Sequence, residues 1–232
     1  MSRASADPST GPVRVGTDEA DGIIVAVIDD GKVNALSGPV IDGIRSAVAL
    51  AVEQGRPLVI TGRDGCFSAG FDLAVMGGDD RHGASALFAD GARLYREIIE
   101  APVPVVASCT GHALAGGALL LLSADHRIGR SGPYRVGLNE VSIGMALPNF
   151  AVAMATHRLE RRFLTSATMF AEVGPPDRAV AMGFLDETDD DPLHVACRLA
   201  ASLARLPHGA FAATKRRIRR GLQHDLAALD RR

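Results

Sequence analysis

The chain has 232 residues, 47% of them hydrophobic, and a formal net charge of −2 at pH 7. That balance excludes the broad basic field of a nucleic-acid binder, and no segment approaches the roughly 20 consecutive apolar residues of a membrane span. Cys66, Cys109 and Cys197 make an odd count without metal-ligand spacing, which predicts a cytoplasmic protein in a reducing compartment with no metal site.

In chain order, residues 1–12 lack the apolar stretch of a secretory signal and read as a disordered tail. Residues 13–15 and 23–28 (IIVAVI) read as hairpin strands joined near Glu19–Gly22. An amphipathic helix is expected over 39–53, ended by Gly55-Arg56-Pro57. Leu58 to Thr61 form a strand, and residues 68–72 (SAGFD) a tight turn whose small residues let the backbone approach a ligand closely. The polar stretch 77–84, which includes Asp79-Asp80-Arg81-His82, is expected to be an exposed mobile loop. A helix over 86–100 ends at Pro102.

Residues 103–109 (VPVVASC) read as a buried strand. It leads through Thr110-Gly111 and small residues to Gly116-Gly117, where a helix over 116–123 begins. The first N–H groups of a helix lack partners within it and carry the positive end of its dipole, so such a turn can hold an anion or a developing oxyanion. Strands follow at 125–129 and 134–138. Then Gly137-Leu138-Asn139-Glu140 sets a carboxylate between a glycine turn and the apolar run Val141–Leu147. Helices are expected at 149–157, 159–170, 176–182, 192–205 and 208–226. Strands alternating with helices predict an α/β chain with largely parallel pairing. The turns at 68–72 and 110–117 could supply two N–H donors, from Phe71 and Gly116. Together with Glu140 they suit proton abstraction beside a carbonyl.

Other polar residues take structural readings. Asp72 is expected to hydrogen-bond its turn or cap the next helix. Asp125 and Arg127 are read as a structural pair, His112 as a solvated turn residue, and Thr110 and Cys109 as structural. The run Lys215–Arg220 is read as a solvated helix face, with phosphate binding as the lesser alternative. A nucleotide-binding reading of the glycine turn fails because the G-x-G-x-x-G spacing is not met.

The segments KVNAL (32–36), TGRDGCFSAGFDL (61–73), GHALAGGALLLLSADHRI (111–128) and GLNEVSIGMALP (137–148) resemble the crotonase, or enoyl-CoA hydratase/isomerase, family. The resemblance runs from about Gly22 to about Arg217. It implies a spiral of ββα units over 13–190 holding an acyl-CoA site, and a helical trimerisation region over 191–232. A homotrimer or a hexamer built as a dimer of trimers is then expected. It also implies an acyl-CoA thioester substrate, coenzyme A being part of the substrate and not a separate cofactor. The thioester oxygen would sit between the N–H groups of Phe71 and Gly116. Ser68, Ala69, Gly70 and Asp72 would line the thioester and pantetheine path, and Ala35-Leu36 would lie near the adenine.

Departures from the family sharpen the expectation. Hydratases of the family carry two glutamates; the first position is Leu119 here and the second is Glu140. Leu119 cannot hold a water, so the pattern resembles the enoyl-CoA isomerases that work with one glutamate. The stretch Met145–Pro148 lacks the aspartate of dehalogenase-type members. The chain ends soon after the Arg-rich segment 211–220, where the family usually continues, so a less enclosed acyl tail is expected. Three readings stay open: an isomerase; a hydratase or other lyase using Asp72, Asp79 or Glu97; and a non-catalytic acyl-CoA-binding paralogue.

Overall fold

The computed structural model describes residues 11–18, 21–72 and 81–229. Two apolar strands, β1 (Val13–Asp18) and β2 (Ile23–Ile28), pair antiparallel, as the hairpin reading expects; residues 19–20 of their connection lie outside the described set. From there the chain repeats one pattern. A strand enters a large sheet, a second short strand enters a smaller one, and a helix returns over the core. The first pass is β2, β3 (Ala35–Leu36) and α1 (Gly38–Gln54). The second is β4 (Leu58–Gly62), β5 (Gly65–Ser68), β6 (Gly70–Phe71) and α2 (Arg81–Glu100). The third is β7 (Val105–Cys109), β8 (Gly111–Leu114) and α3 (Gly116–Ser123). β9 (His126–Arg130) and β10 (Val136–Gly137) open the fourth, and β11 (Glu187–Asp189) closes the sheet.

The large sheet runs β1-β2-β4-β7-β9-β11, so each pass adds one strand beside the last, parallel after the first pair. The second strands stack in parallel as β10-β8-β5, and β3 pairs with β6. This is a spiral of ββα units in a mixed α/β fold. β4 and β7 are buried along their whole length, as strands covered on both faces must be. One face carries the main core with α1, α2 and α3. The other carries Ile23, Val59, Val106 and Ile128 beneath α7 (Pro192–Leu203). Helix α3 is apolar all round and wholly buried, the signature of a helix inside a core. The remaining helices are α4 (Asn149–Arg158), α5 (Leu164–Thr168), α6 (Pro176–Met182) and α8 (His208–Leu229).

Several expectations change. Of the 77–84 stretch, residues 77–80 lie outside the described set, while Arg81–Ala84 form the first turn of α2 and not a loop. The helix expected at 159–170 breaks into a 3-10 turn at Arg161–Phe163 and the short α5, because Glu160 is extended and its N–H bonds to the Met182 carbonyl. Strands of two to four residues at β3, β5 and β8 escape a periodicity reading. The apolar faces of the C-terminal helices are largely spent within the chain. Ala196 and Ala200 seal the outer sheet face, and Leu222 and Leu226 enter the main core. Leu206 and Ile218 stay exposed. The C-terminal helices therefore bury much of their apolar surface within this chain, and the expected trimer rests on the family resemblance.

The C-terminal end of α3 is held by buried charge. Asp125 accepts from the Lys215 ammonium (2.7 Å), the Arg219 guanidinium (3.2 Å) and the Val105 N–H (2.9 Å). Arg158 donates to the carbonyls of Leu122 and Ala124, and Arg219 also reaches Ala124. Asp125 and Arg127 are structural but not a pair. Arg127 binds Asp186 through two guanidinium nitrogens. Nor is the 215–220 run a solvated face throughout: Lys215 and Arg219 are buried, while Arg216, Arg217 and Arg220 are exposed. Among the described residues no helix is long and apolar enough to cross a membrane, and no group of His, Cys, Asp and Glu could hold a metal ion.

Candidate active site

The two glycine turns meet. Gly70 has φ +96°, and a Cβ there would come within 2.9 Å of the Gly116 nitrogen and of Ala115 Cβ. A Cβ on Gly117 would lie 2.3 Å from the Ser68 carbonyl oxygen. Only glycines permit this approach of backbone to backbone. Phe71, the next residue after Gly70, and Gly116 at the start of α3 are thereby neighbours. Asn34 of the KVNAL segment braces the turn: its side-chain N–H groups donate to the Ile28 and Cys66 carbonyls at 2.9 and 3.0 Å. The Ser68 hydroxyl donates to the Asn34 carbonyl at 2.7 Å and accepts from the Gly70 N–H at 3.2 Å. Ala115, which enters α3 without a side-chain cap, sits at φ 50°, ψ −123°, a strained conformation for a residue with a Cβ.

Beside this junction lies a cavity of about 110 Å³, lined by Ala69, Phe71, Phe88, Ala115, Leu119, Asn139, Glu140, Ile143, Met145, Ala146 and Pro148. Glu140 is the one carboxylate among those residues and is buried, 7% exposed. β8 and β10 bring it there: Ala113 pairs with Val136 and Leu114 with Gly137, and the Ala115 N–H donates to the Gly137 carbonyl at 3.0 Å. Glu140 Oε2 has no hydrogen-bond partner among the described residues, and neither has the buried Asn139 Oδ1. Burial pushes the Glu140 carboxyl above its ordinary value of 4.5, since little nearby repays the lost hydration of the charge. The apolar surroundings differ from expectation. Val141 and Ile143 are 44% and 49% exposed, and only Ile143 touches the cavity; Leu119, Phe71, Phe88 and Met145 supply the rest.

Leu119 lies on the same cavity as Glu140, as the alignment of the glycine turns implies. Ala69 lines it too. Leu36 is wholly buried and Ala35 partly, and Ala35 pairs with Gly70 in β3–β6. Ser68 spends its hydroxyl on the turn. Asp72 is half-buried at the edge of the described residues and outside the cavity lining. His112 is not a free turn residue: its Nδ1 accepts from the Arg135 N–H at 3.1 Å and its ring meets Tyr134 edge-on. Glu97 is far from a free acid, being held by Arg45 at 2.9 and 2.7 Å in a separate groove between α1 and α2. Asp79 lies outside the described residues.

Sequence reasoning passed over Asn139 and an aromatic cluster. Phe71 meets Phe88 at 5.1 Å and Tyr95 at 6.3 Å, both edge-to-face, and Phe150 closes the group against Tyr95 at 6.0 Å. The signal was present: Phe88, Gly91 and Tyr95 recur at the spacing of one helix face. Their partner on the Gly70–Phe71 turn was not legible.

Known proteins resemble this chain in sequence and in fold. A family model described as enoyl-CoA hydratase/isomerase matches residues 18–230. A probable enoyl-CoA hydratase of Rhodobacter capsulatus is 30% identical over 217 residues, 90% of this chain and 82% of that protein. The mitochondrial enoyl-CoA delta isomerase 1 of Rattus norvegicus is 28% identical over 179 residues, 74% of this chain and 61% of its own length. The apo structure of an enoyl-CoA isomerase from Mycobacterium tuberculosis superimposes with a TM-score of 0.89 at 35% identity, covering 94% of this chain and 96% of that one.

Proposed function

This chain belongs to the enoyl-CoA hydratase/isomerase family, and we propose that it is an enoyl-CoA isomerase that moves a double bond with Glu140 as its single acid/base. The observation that carries the reading is the pairing of one buried carboxylate with Leu119 across a single apolar cavity. In this reading the thioester oxygen of an acyl-CoA rests between the Phe71 and Gly116 N–H groups. Ionised Glu140 takes a proton from C2 of a 3-enoyl thioester. The C–H electron pair moves into the C1–C2 bond as the carbonyl pair shifts onto the oxygen, giving a dienolate. When the carbonyl re-forms, the C1–C2 pair moves to C2–C3 and the C3–C4 pair takes up the same proton at C4, leaving the double bond between C2 and C3. Each preorganised N–H donor contributes on the order of 3–4 kcal/mol to such a charged intermediate. The raised pKa of Glu140 suits a group that must both accept and release a proton. Ala35-Leu36, Ala69, Gly70 and Asp72 would lie along the path of the coenzyme A portion, which enters as part of the substrate. A homotrimer is proposed on the family resemblance, and sedimentation showing a monomer at micromolar concentration would refute it.

One observation favours a second reading. Asn139 Oδ1 and Glu140 Oε2 are both buried acceptors without a donor among the described residues. A water donating to both would satisfy them, and such a water could add to C3 of a 2-enoyl thioester while Glu140 carries its proton to C2. Purified protein assayed on 3-enoyl-CoA and 2-enoyl-CoA, with products identified by absorbance and mass, separates the two. Isomerisation without hydration supports the first reading, and hydration at a comparable rate replaces it with the second. Inertness on both, with acyl-CoA still bound, points to a non-catalytic paralogue.

A further inference from the structure

Tyr95 is fully buried in the middle of α2, and its hydroxyl donates to the Gly116 carbonyl at 2.8 Å. A buried phenol needs a partner, and this one is found in the first turn of α3, on the residue whose N–H begins that helix. The ring of Tyr95 also meets Phe71 edge-to-face. Phe71 is itself wedged between two glycines. A Cβ on Gly91, one turn before Tyr95 on α2, would come 2.3 Å from Phe71 Cε1, and a Cβ on Gly116 would come 3.0 Å from Phe71 Cδ2 and from the Tyr95 hydroxyl. One helix face, Phe88-Gly91-Tyr95, therefore touches both residues that carry the candidate donors.

We propose that Tyr95 is a positioning residue for the enolate site, holding Gly116 through its hydroxyl and Phe71 through its ring so that the two backbone N–H groups keep a fixed spacing. The inference rests on the enolate reading given above and adds to it the part that sets the geometry. Donors aimed at a developing charge act only when held within about 0.5 Å of the productive position, and a backbone turn of small residues does not supply that stiffness alone. Tyr95 does not act as an acid. Burial, and next the charge of Glu140, push its pKa well above 10, and its proton is engaged by the carbonyl.

The test is Tyr95→Phe, which keeps the ring and removes the hydroxyl. Two readouts are needed: steady-state kinetics on 3-enoyl-CoA, and the near-ultraviolet band of the acetoacetyl-CoA enolate formed on the enzyme. The variant is expected to lose about tenfold in kcat, the scale of one buried hydrogen bond, with KM changed less than about twofold. Its enolate band should weaken at a pH where the wild-type band is strong. Gly91→Ala, which pushes on the Phe71 ring from the same helix and leaves the Tyr95 hydroxyl in place, should weaken the band too; an unchanged band in that variant overturns the part of the proposal that holds Phe71 through its ring. A strong wild-type band that survives unchanged in the folded variant overturns the role of Tyr95 and leaves the enolate reading standing. Absence of the band and of isomerisation in the wild type overturns the enolate reading and this inference with it.

Discussion

The two ends of the 8-residue helix α3 are treated in opposite ways. At the C-terminal end the carbonyls of Leu122 and Ala124 receive guanidinium N–H groups, and Asp125 is gripped by Lys215 and Arg219. Cations at a helix C-terminus complement its dipole, and here they also fasten α8 to the core. At the N-terminal end no side chain caps the helix, Ala115 is strained, and the cavity beside it holds a buried carboxylate oxygen without a partner among the described residues. One end spends nearly all its polar groups on cohesion, Arg219 Nη1 being a buried atom there with no partner among the described residues. The other leaves them unspent beside an apolar cavity, which lowers stability and leaves them available to a ligand. Substitutions at the two ends should therefore separate activity from stability.

The largest expected effect is at the open end. Glu140→Gln keeps the shape and removes the base, so isomerase turnover should fall by roughly 10²–10⁴-fold while acyl-CoA binding persists. Full turnover in that variant, measured on 3-enoyl-CoA, would break the single-glutamate mechanism.

At the closed end, Asp125→Ala leaves two buried cations without their carboxylate and should cost about 3–5 kcal/mol in urea unfolding. The enzyme that stays folded should turn over as before. A selective loss of kcat, with stability intact, would erase the contrast between the ends.

Smaller shifts sharpen it. Ala115→Gly relieves a positive-φ conformation worth on the order of 1–3 kcal/mol and adds some freedom to the unfolded chain. A net gain of about 1 kcal/mol should raise the melting temperature by about 2–4 °C. No gain would show that the turn is not strained.

The last effect depends on pH. The Glu140 carboxyl titrates above its ordinary value in the folded protein because burial penalises the charge. The folded state therefore binds this proton more tightly than the unfolded state. Stability from this group is full below the ordinary carboxylate range and is lost as pH rises through the raised pKa. Glu140→Gln does not titrate, so it should melt slightly higher than wild type at neutral pH, with the gap closing at acid pH. A gap that stays constant across pH would mean that Glu140 titrates alike in the folded and unfolded protein, so that burial does not raise its pKa.

Much of this was legible in the letters. Helix α3 and helix α6 begin and end where their glycine, proline and apolar patterns say, because these are local backbone requirements. The pairing of Leu119 with Glu140 came from the family resemblance, which sets both at the positions of the hydratases' two glutamates. The broken helix at 159–170 was not legible, because its interruption depends on a bond between Glu160 and the Met182 carbonyl, 22 residues away.

By itself the sequence determined the alternation of strands and helices, the glycines at which backbones can touch, and the presence of one carboxylate after the second glycine motif. Those properties reside in single residues and their near neighbours. Only the tertiary structure decided that Gly70 touches Gly116, that Asp125 belongs to Lys215 and Arg219 and not to Arg127, and that Tyr95 reaches the start of α3. Each of these joins elements far apart in the chain. Such contacts depend on how the spiral stacks one ββα pass on the next, and hydrophobic periodicity, which reports only which face is buried, carries no information about what that face will meet.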